Sequence, residues 1–202
     1  MMIAADYSHA VAYLDRTRLP AYVYFAEQAS AQGVSREQDS QQRIYVRTSD
    51  GAVIAGEAPG GADVLHSRNV NGANPFGKRS FFKPSCYIPK SESLATWDGQ
   101  AALRFELQPA CKDSGGASEL YADPRIFRPI AISGLINTDS NIGVAIEMRY
   151  TTIGQYTVPS SMRVHVIGHS WLFWVRERAQ VDYTDYKFYQ SLDFARRQAS
   201  KP

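Results

Sequence analysis

His165 and His169 stand four residues apart, a spacing that on a helix would set two imidazoles on one face as metal ligands. Their surroundings, Val164-His165-Val166-Ile167-Gly168, predict a strand instead, along which four residues span about 13 Å. One metal ion cannot bridge that gap, so the histidines read as solvent-facing side chains and no metal site is expected. A nucleophilic triad needs a Ser or Cys on a constrained turn beside a His and a carboxylate. Ser133-Gly134 lacks the G-x-S-x-G elbow, and nothing selects a partner among the 20 Asp and Glu. No G-x-x-x-x-G-K-S/T, G-x-G-x-x-G or H-E-x-x-H occurs, and Gly60-Gly61 and Gly115-Gly116 lack the strand-to-helix context of a phosphate cradle. No carboxylate pair stands out for glycoside chemistry. The sequence therefore nominates no catalytic residue and no cofactor.

Two cysteines offer the next possible chemistry. Cys86 and Cys111 are too far apart for a C-x-x-C redox pair, and two thiols alone do not make a structural zinc site. A disulfide between them would contribute roughly 3 to 4 kcal/mol by loop entropy and would imply an oxidising, extracytoplasmic compartment. Two separate buried thiols are the other reading.

Aromatic residues are more informative. Trp171, Phe173 and Val175 alternate with Leu172 and Trp174, so both faces of a strand there need apolar company. One face can pack on a helix. The other can line a cavity with Ile142, Val144, Ile146 and Met148, as an acyl chain would require, or these side chains are the two sides of a solid sandwich core.

The elements that must position these residues follow from periodicity. Residues 6–19 predict one amphipathic helix, with Asp6 or Ser8 as N-cap, Tyr7, Val11 and Leu14 at helical spacing, and Leu19-Pro20 as its stop. From Ala21 the period becomes two. Tyr22 to Glu27 and Arg43 to Thr48 alternate, and Asp50-Gly51 before Ala52–Ala55 is the strongest hairpin signal in the chain. Residues 56–92 hold so many Gly, Pro and Asn that only short helical turns fit; the segment reads as a lid or flap, or as a surface excursion pinned down by Phe76, Phe81 and Phe82. Strands follow around Leu103-Phe105-Leu107, Glu119–Ala122, Ile126–Leu135 after the Asp123-Pro124 turn, and Ile142–Thr151. The last block, Ser161–Val175 and Glu177–Phe188, breaks near Gly168-His169-Ser170.

Length and composition fit that plan. The chain has 202 residues, 44% hydrophobic and 21% charged, which predicts one globular domain over 1–202 and excludes collagen-like or disordered classes. A net charge of +2 gives no electrostatic case for nucleic acid or an anionic membrane as partner, and no apolar run approaches the roughly 20 residues of a membrane span. Met1 to Asp6 has no basic n-region, so either the chain is cytosolic, or an export signal has been removed and Met1 is an added start.

The C-terminal half resembles the LolA/LolB-type lipoprotein carriers of bacterial envelopes. The resemblance lies in Leu120-Tyr121-Ala122-Asp123-Pro124 with Pro129 downstream, Met148-Arg149-Tyr150, Tyr156-Thr157-Val158-Pro159, and a closing strand pair ending on Val181–Phe188. It covers residues 100–190, and 20–55 more weakly, as a pattern of strand lengths and turns. The resemblance implies a mainly β (α+β) fold: a strongly curved, unclosed antiparallel β-barrel with a short N-terminal helix and a lid over its concave face. It also implies an apolar cavity for lipid or acyl chains and a periplasmic or otherwise extracytoplasmic location. The long 56–92 segment, the Cys pair and the absence of an N-terminal lipidation Cys depart from that pattern.

The resulting expectation is a non-enzymatic carrier for lipid or another hydrophobic ligand. Its candidate lining is Phe105, Leu107, Val144, Ile146, Met148, Trp171 and Phe173, with 56–92 as the lid. An envelope protein-interaction or sensor module on the same scaffold is the alternative, and a hydrolase the weaker one.

Overall fold

The structure, a computed structural model, describes residues 2–32, 38–57, 75–76, 81–112, 114, 116–139, 142–170, 173–191 and 193. Helix α1 (Met2–Ala12) is followed by β1 (Tyr22–Gln32), β2 (Gln38–Arg47), β3 (Ala52–Glu57), β4 (Tyr87–Trp97), β5 (Gln100–Pro109), β6 (Ala117–Ala122), β7 (Pro129–Asp139), β8 (Ile142–Ile153), β9 (Tyr156–Ser170) and β10 (Phe173–Tyr189). The strands form one antiparallel sheet in the order β3-β2-β1-β10-β9-β8-β7-β6-β5-β4. β3 and β4 are its two edges, so the barrel is not closed. Ser49 and Asp50, in the turn out of β2, nevertheless line one cleft with Phe82–Ser85, which lead into β4. Eight strand spacings of a flat sheet would hold these segments about 38 Å apart. The sheet is therefore strongly curled, with α1 on its concave side.

Alternation sorts each strand into two faces. On β8, Val144, Ile146 and Met148 face the concave side, whereas Glu147 and Arg149 form ion pairs on the outer side. Beneath α1, Tyr7 and Ala10 pack with Leu103, Phe105, Leu107, Leu120, Ile132 and Met148. Beside this lies a second cluster of Val23, Phe25, Ile44, Val46, Phe76, Val158, Val181, Tyr183 and Tyr186. Tyr183 and Tyr186 are three apart and would face opposite sides of a regular strand. Asp185, at φ 54°, adds a residue opposite a register shift in β1 and turns both rings toward Phe25, at 5.7 and 5.5 Å.

The Asp50-Gly51 hairpin forms as its sequence predicts. Gly51 takes φ 68°, its N–H donates to the Arg47 carbonyl, and Asp50 accepts from Ala52 N at 3.0 Å. Cys86 and Cys111 are joined in a disulfide with Cα atoms 4.9 Å apart, where the Tyr87–Pro109 end of the β4–β5 ladder brings them together.

Four boundaries differ from the sequence reading. The helix spans Met2–Ala12 rather than 6–19, because Met2-Ile3-Ala4-Ala5 are good helix formers and Asp15 breaks the run. Asp15 is extended and accepts from Thr17 N at 2.9 Å, which starts a separate 3-10 turn at Arg16–Arg18. Of the expected lid, residues 58–74 and 77–80 lie outside the described residues, while Gly56 and Glu57 belong to β3 and Tyr87 to Glu92 belong to β4. Pro89 is tolerated there because β4 is an edge strand with a register shift at Pro89/Ser91. β7 begins at Pro129 rather than Ile126, since Asp123 accepts from Arg125 N and Ile126 N and holds a turn. The last strand break falls between Ser170 and Phe173, which pair across it.

Candidate functional site

Among the described residues, a cleft of about 840 Å³ opens on the concave side beside the C-terminal end of α1. Val11, Ala12 and Leu14 form one wall and Phe82, Lys83, Pro84 and Ser85 the other, with Ser8, Asp15, Arg16, Ser49 and Asp50 around them. Leu14, Asp15, Arg16, Phe82 and Pro84 also line an inner hollow of about 60 Å³, where they meet Tyr13, Leu19, Pro75, Phe76, Tyr150, Thr157 and Pro159. The two spaces adjoin through these five shared residues, and the hollow adds Tyr150 and Thr157 to its polar groups.

Local structure places each wall. Tyr7, against Phe105 at 5.9 Å between ring centroids, anchors α1, and its hydroxyl donates to the Pro84 carbonyl at 3.4 Å. The opposite wall follows Lys83 into the 3-10 turn Pro84–Cys86, beside the disulfide. Arg16 reaches inward from its own 3-10 turn, and its Nη1 donates to the Phe76 carbonyl at 2.5 Å.

The electrostatics are those of groups drawn out of water. Burial lowers the pKa of Arg16 while its interaction with Tyr150 works the other way, and burial pushes the Tyr150 hydroxyl up against the pull of Arg16. Thr157 is 7% exposed, and its Oγ1 has no hydrogen-bond partner among the described residues. Nearby in the second cluster, Glu27 is 2% exposed: Oε1 accepts from Gln42 at 2.8 Å, Oε2 has no described partner, and burial raises its pKa.

The outer face has its own groove of about 700 Å³, lined by Glu119, Ser133, Glu147, Arg163, His165 and Gln180 among others. Its carboxylates are already engaged. Glu119 pairs with Arg104 at 2.6 Å and accepts from Tyr121 and Ser133, and Glu147 pairs with Arg149 at 2.5 Å. Burial would raise the pKa of Glu119, but the hydrogen bonds from Tyr121 and Ser133 and the pairing with Arg104 outweigh it and leave the group below its ordinary value. His165 is exposed on β9, and no metal-binding cluster occurs among the described residues.

The seven residues nominated from sequence are placed as follows. Phe105, Leu107 and Met148 are buried beneath α1, and Ile146 packs against the same cluster. Val144 is half-buried on the same side of β8. Phe173 opens β10 opposite Ser170, and Trp171 lies outside the described residues. Phe105, Leu107, Val144, Ile146 and Met148 lie deeper than the residues that border the cleft and the hollow. Val11 and Leu14 were legible as the apolar side of the helix. Phe82 was legible only as an aromatic within the 56–92 segment and Thr157 only within the Tyr156–Pro159 stretch of the resemblance, while neither spacing nor neighbours mark Arg16.

No protein-family model matches the chain, and no curated protein matches it. Solved structures do. The chain is similar to a LolA-superfamily protein from Nitrosomonas europaea, at 14% identity and TM-score 0.53 over 93% of this chain and 95% of that one. A DUF1329-family protein from Desulfovibrio piger aligns at 12% identity and TM-score 0.52, covering 94% of each chain. A domain described as an outer-membrane lipoprotein-sorting protein, from Vibrio parahaemolyticus, aligns at 12% identity and TM-score 0.51 over 96% and 98%. The fold is LolA-like: a curled, unclosed antiparallel sheet with a short helix on its concave side. At these identities the likeness establishes the fold alone.

Proposed function

We propose that the protein is a non-enzymatic, extracytoplasmic carrier or binding protein whose ligand is a lipid or acyl chain held between α1 and the concave face. The observation that carries this reading is the cleft itself. About 840 Å³ lies within the range of small-molecule sites, and Val11, Ala12, Leu14, Phe82 and Pro84 supply an apolar lining. Each methylene moved from water into such a lining contributes about 0.8 kcal/mol. The Cys86–Cys111 disulfide supports an oxidising compartment. Phe105, Leu107, Val144, Ile146 and Met148, together with Trp171 and Phe173, would be the deeper wall reached when α1 lifts, with the chain between β3 and β4 as cover.

Mass spectrometry of protein gently extracted from its host should find co-purifying lipid, and fluorescent fatty acids should bind. Leu14→Asp should weaken that binding tenfold or more while the circular dichroism spectrum stays unchanged. A clean apo mass together with no fatty-acid binding overturns the reading. One observation favours a protein-binding alternative: the free edge β4 carries Ile88 at 58% and Leu94 at 79% exposure, as a strand-adding partner would need. Loss of cross-linking to an envelope protein in Leu94→Lys, in a chain that binds no lipid, would establish that alternative.

A further inference from the structure

We infer that the cleft takes a single-chain, long-chain carboxylic acid inserted head first, with its carboxylate seated among Arg16, Thr157 and Tyr150. This rests on the proposed carrier function and adds the chemistry of the ligand's head. All three residues line the inner hollow. Thr157 Oγ1 is a buried hydroxyl without a described partner, an unfavourable state that an incoming acceptor would relieve. Arg16 carries a planar guanidinium fork suited to the two oxygens of a carboxylate, and its Nη1 donates to the Phe76 carbonyl at the edge of the hollow. The Tyr150 hydroxyl stays protonated at neutral pH and can donate as well.

Size and polarity set the orientation. About 60 Å³ is room for a few water-sized groups, which suits a carboxylate and excludes a phosphodiester with its glycerol. The adjoining, larger cleft shares Leu14, Phe82 and Pro84 with the hollow and adds Val11, and an acyl chain would lie there. Asp15 also borders the hollow, but it is exposed and its Oδ1 accepts from Thr17 N.

Displacement of a bound fluorescent fatty acid at pH 7.5 by palmitate, methyl palmitate and dipalmitoyl phosphatidylglycerol tests the inference. Palmitate should compete at least tenfold better than its methyl ester. Arg16→Ala should erase that preference, and Arg16→Lys should restore part of it. Thr157→Val, which keeps the shape, should weaken palmitate several-fold and leave the ester unchanged. Equal competition by acid and ester overturns the head-group assignment while leaving the carrier function standing. Strongest competition by the phospholipid also overturns it. If no probe binds at all, the carrier function itself fails.

Discussion

The two faces of the curled sheet treat their polar groups in opposite ways. On the outer face, Glu119 is held by Arg104, Tyr121 and Ser133, and Glu147 by Arg149 with Arg163 at 3.9 Å. On the concave face, Glu27, Glu92 and Thr157 each leave one buried oxygen without a described partner, and Arg128 Nε, whose guanidinium lies over the Tyr13 ring, is in the same state. Buried polar atoms are normally satisfied, and each exception calls for an explanation. The outer network has the form of a surface stabiliser. The concave side keeps hydrogen-bonding capacity in reserve, and at Thr157 that capacity borders an opening.

The largest test of this contrast is packing. Phe105→Ala, beneath α1, should cost about 3 to 5 kcal/mol in urea unfolding, because the fully buried ring leaves a cavity. Next comes the disulfide: replacing Cys86 and Cys111 together by Ala should cost about 2 to 5 kcal/mol, read the same way.

Glu27 gives a signed prediction. Its folded pKa lies above the ordinary carboxylate value, so its contribution to stability is intact below about pH 4.3 and is lost as pH rises through the folded value. Glu27→Gln should therefore raise stability at pH 8 by about 1 to 3 kcal/mol and flatten that alkaline decline. A variant whose melting temperature falls at pH 8 would show that the carboxylate is needed where it sits. Glu119 runs the other way: its folded pKa is depressed, so its contribution is present at neutral pH and lost on acidification below about pH 4.3. The smallest effect should be Arg104→Ala, at about 0.2 to 1 kcal/mol, since that cation is exposed. An Arg104→Ala cost as large as that of Phe105→Ala would erase the distinction between the faces.

Much of the architecture was legible in the sequence because period-two alternation reports burial directly. The Leu103-Phe105-Leu107 and Val144-Ile146-Met148 stripes became concave faces of β5 and β8, and Asp50-Gly51 became a hairpin turn. The helix boundary was misplaced because Asp6 and Ser8, read as N-caps, lie inside α1, whereas Asp15 caps the separate 3-10 turn that follows it. The cleft was harder to read. Apolar alternation identifies a buried face but does not distinguish one filled by α1 from one left open, so Phe105 and Met148 were as eligible as Leu14. Arg16 and Thr157 approach each other only because a 3-10 turn and a distant strand converge. No local pattern encodes that meeting.

The disulfide has a mechanical consequence. It fastens the chain just after Pro84 and Ser85 to the segment leaving β5, and the Ala110 N–H to Cys86 carbonyl bond at 2.8 Å reinforces the same spot. One wall of the cleft is thus clamped covalently to the sheet. The other, α1, is held by noncovalent contacts alone, among them the Tyr7–Phe105 ring contact and a long hydrogen bond from Tyr7, so of the two walls it is the one that can be displaced without breaking a covalent bond.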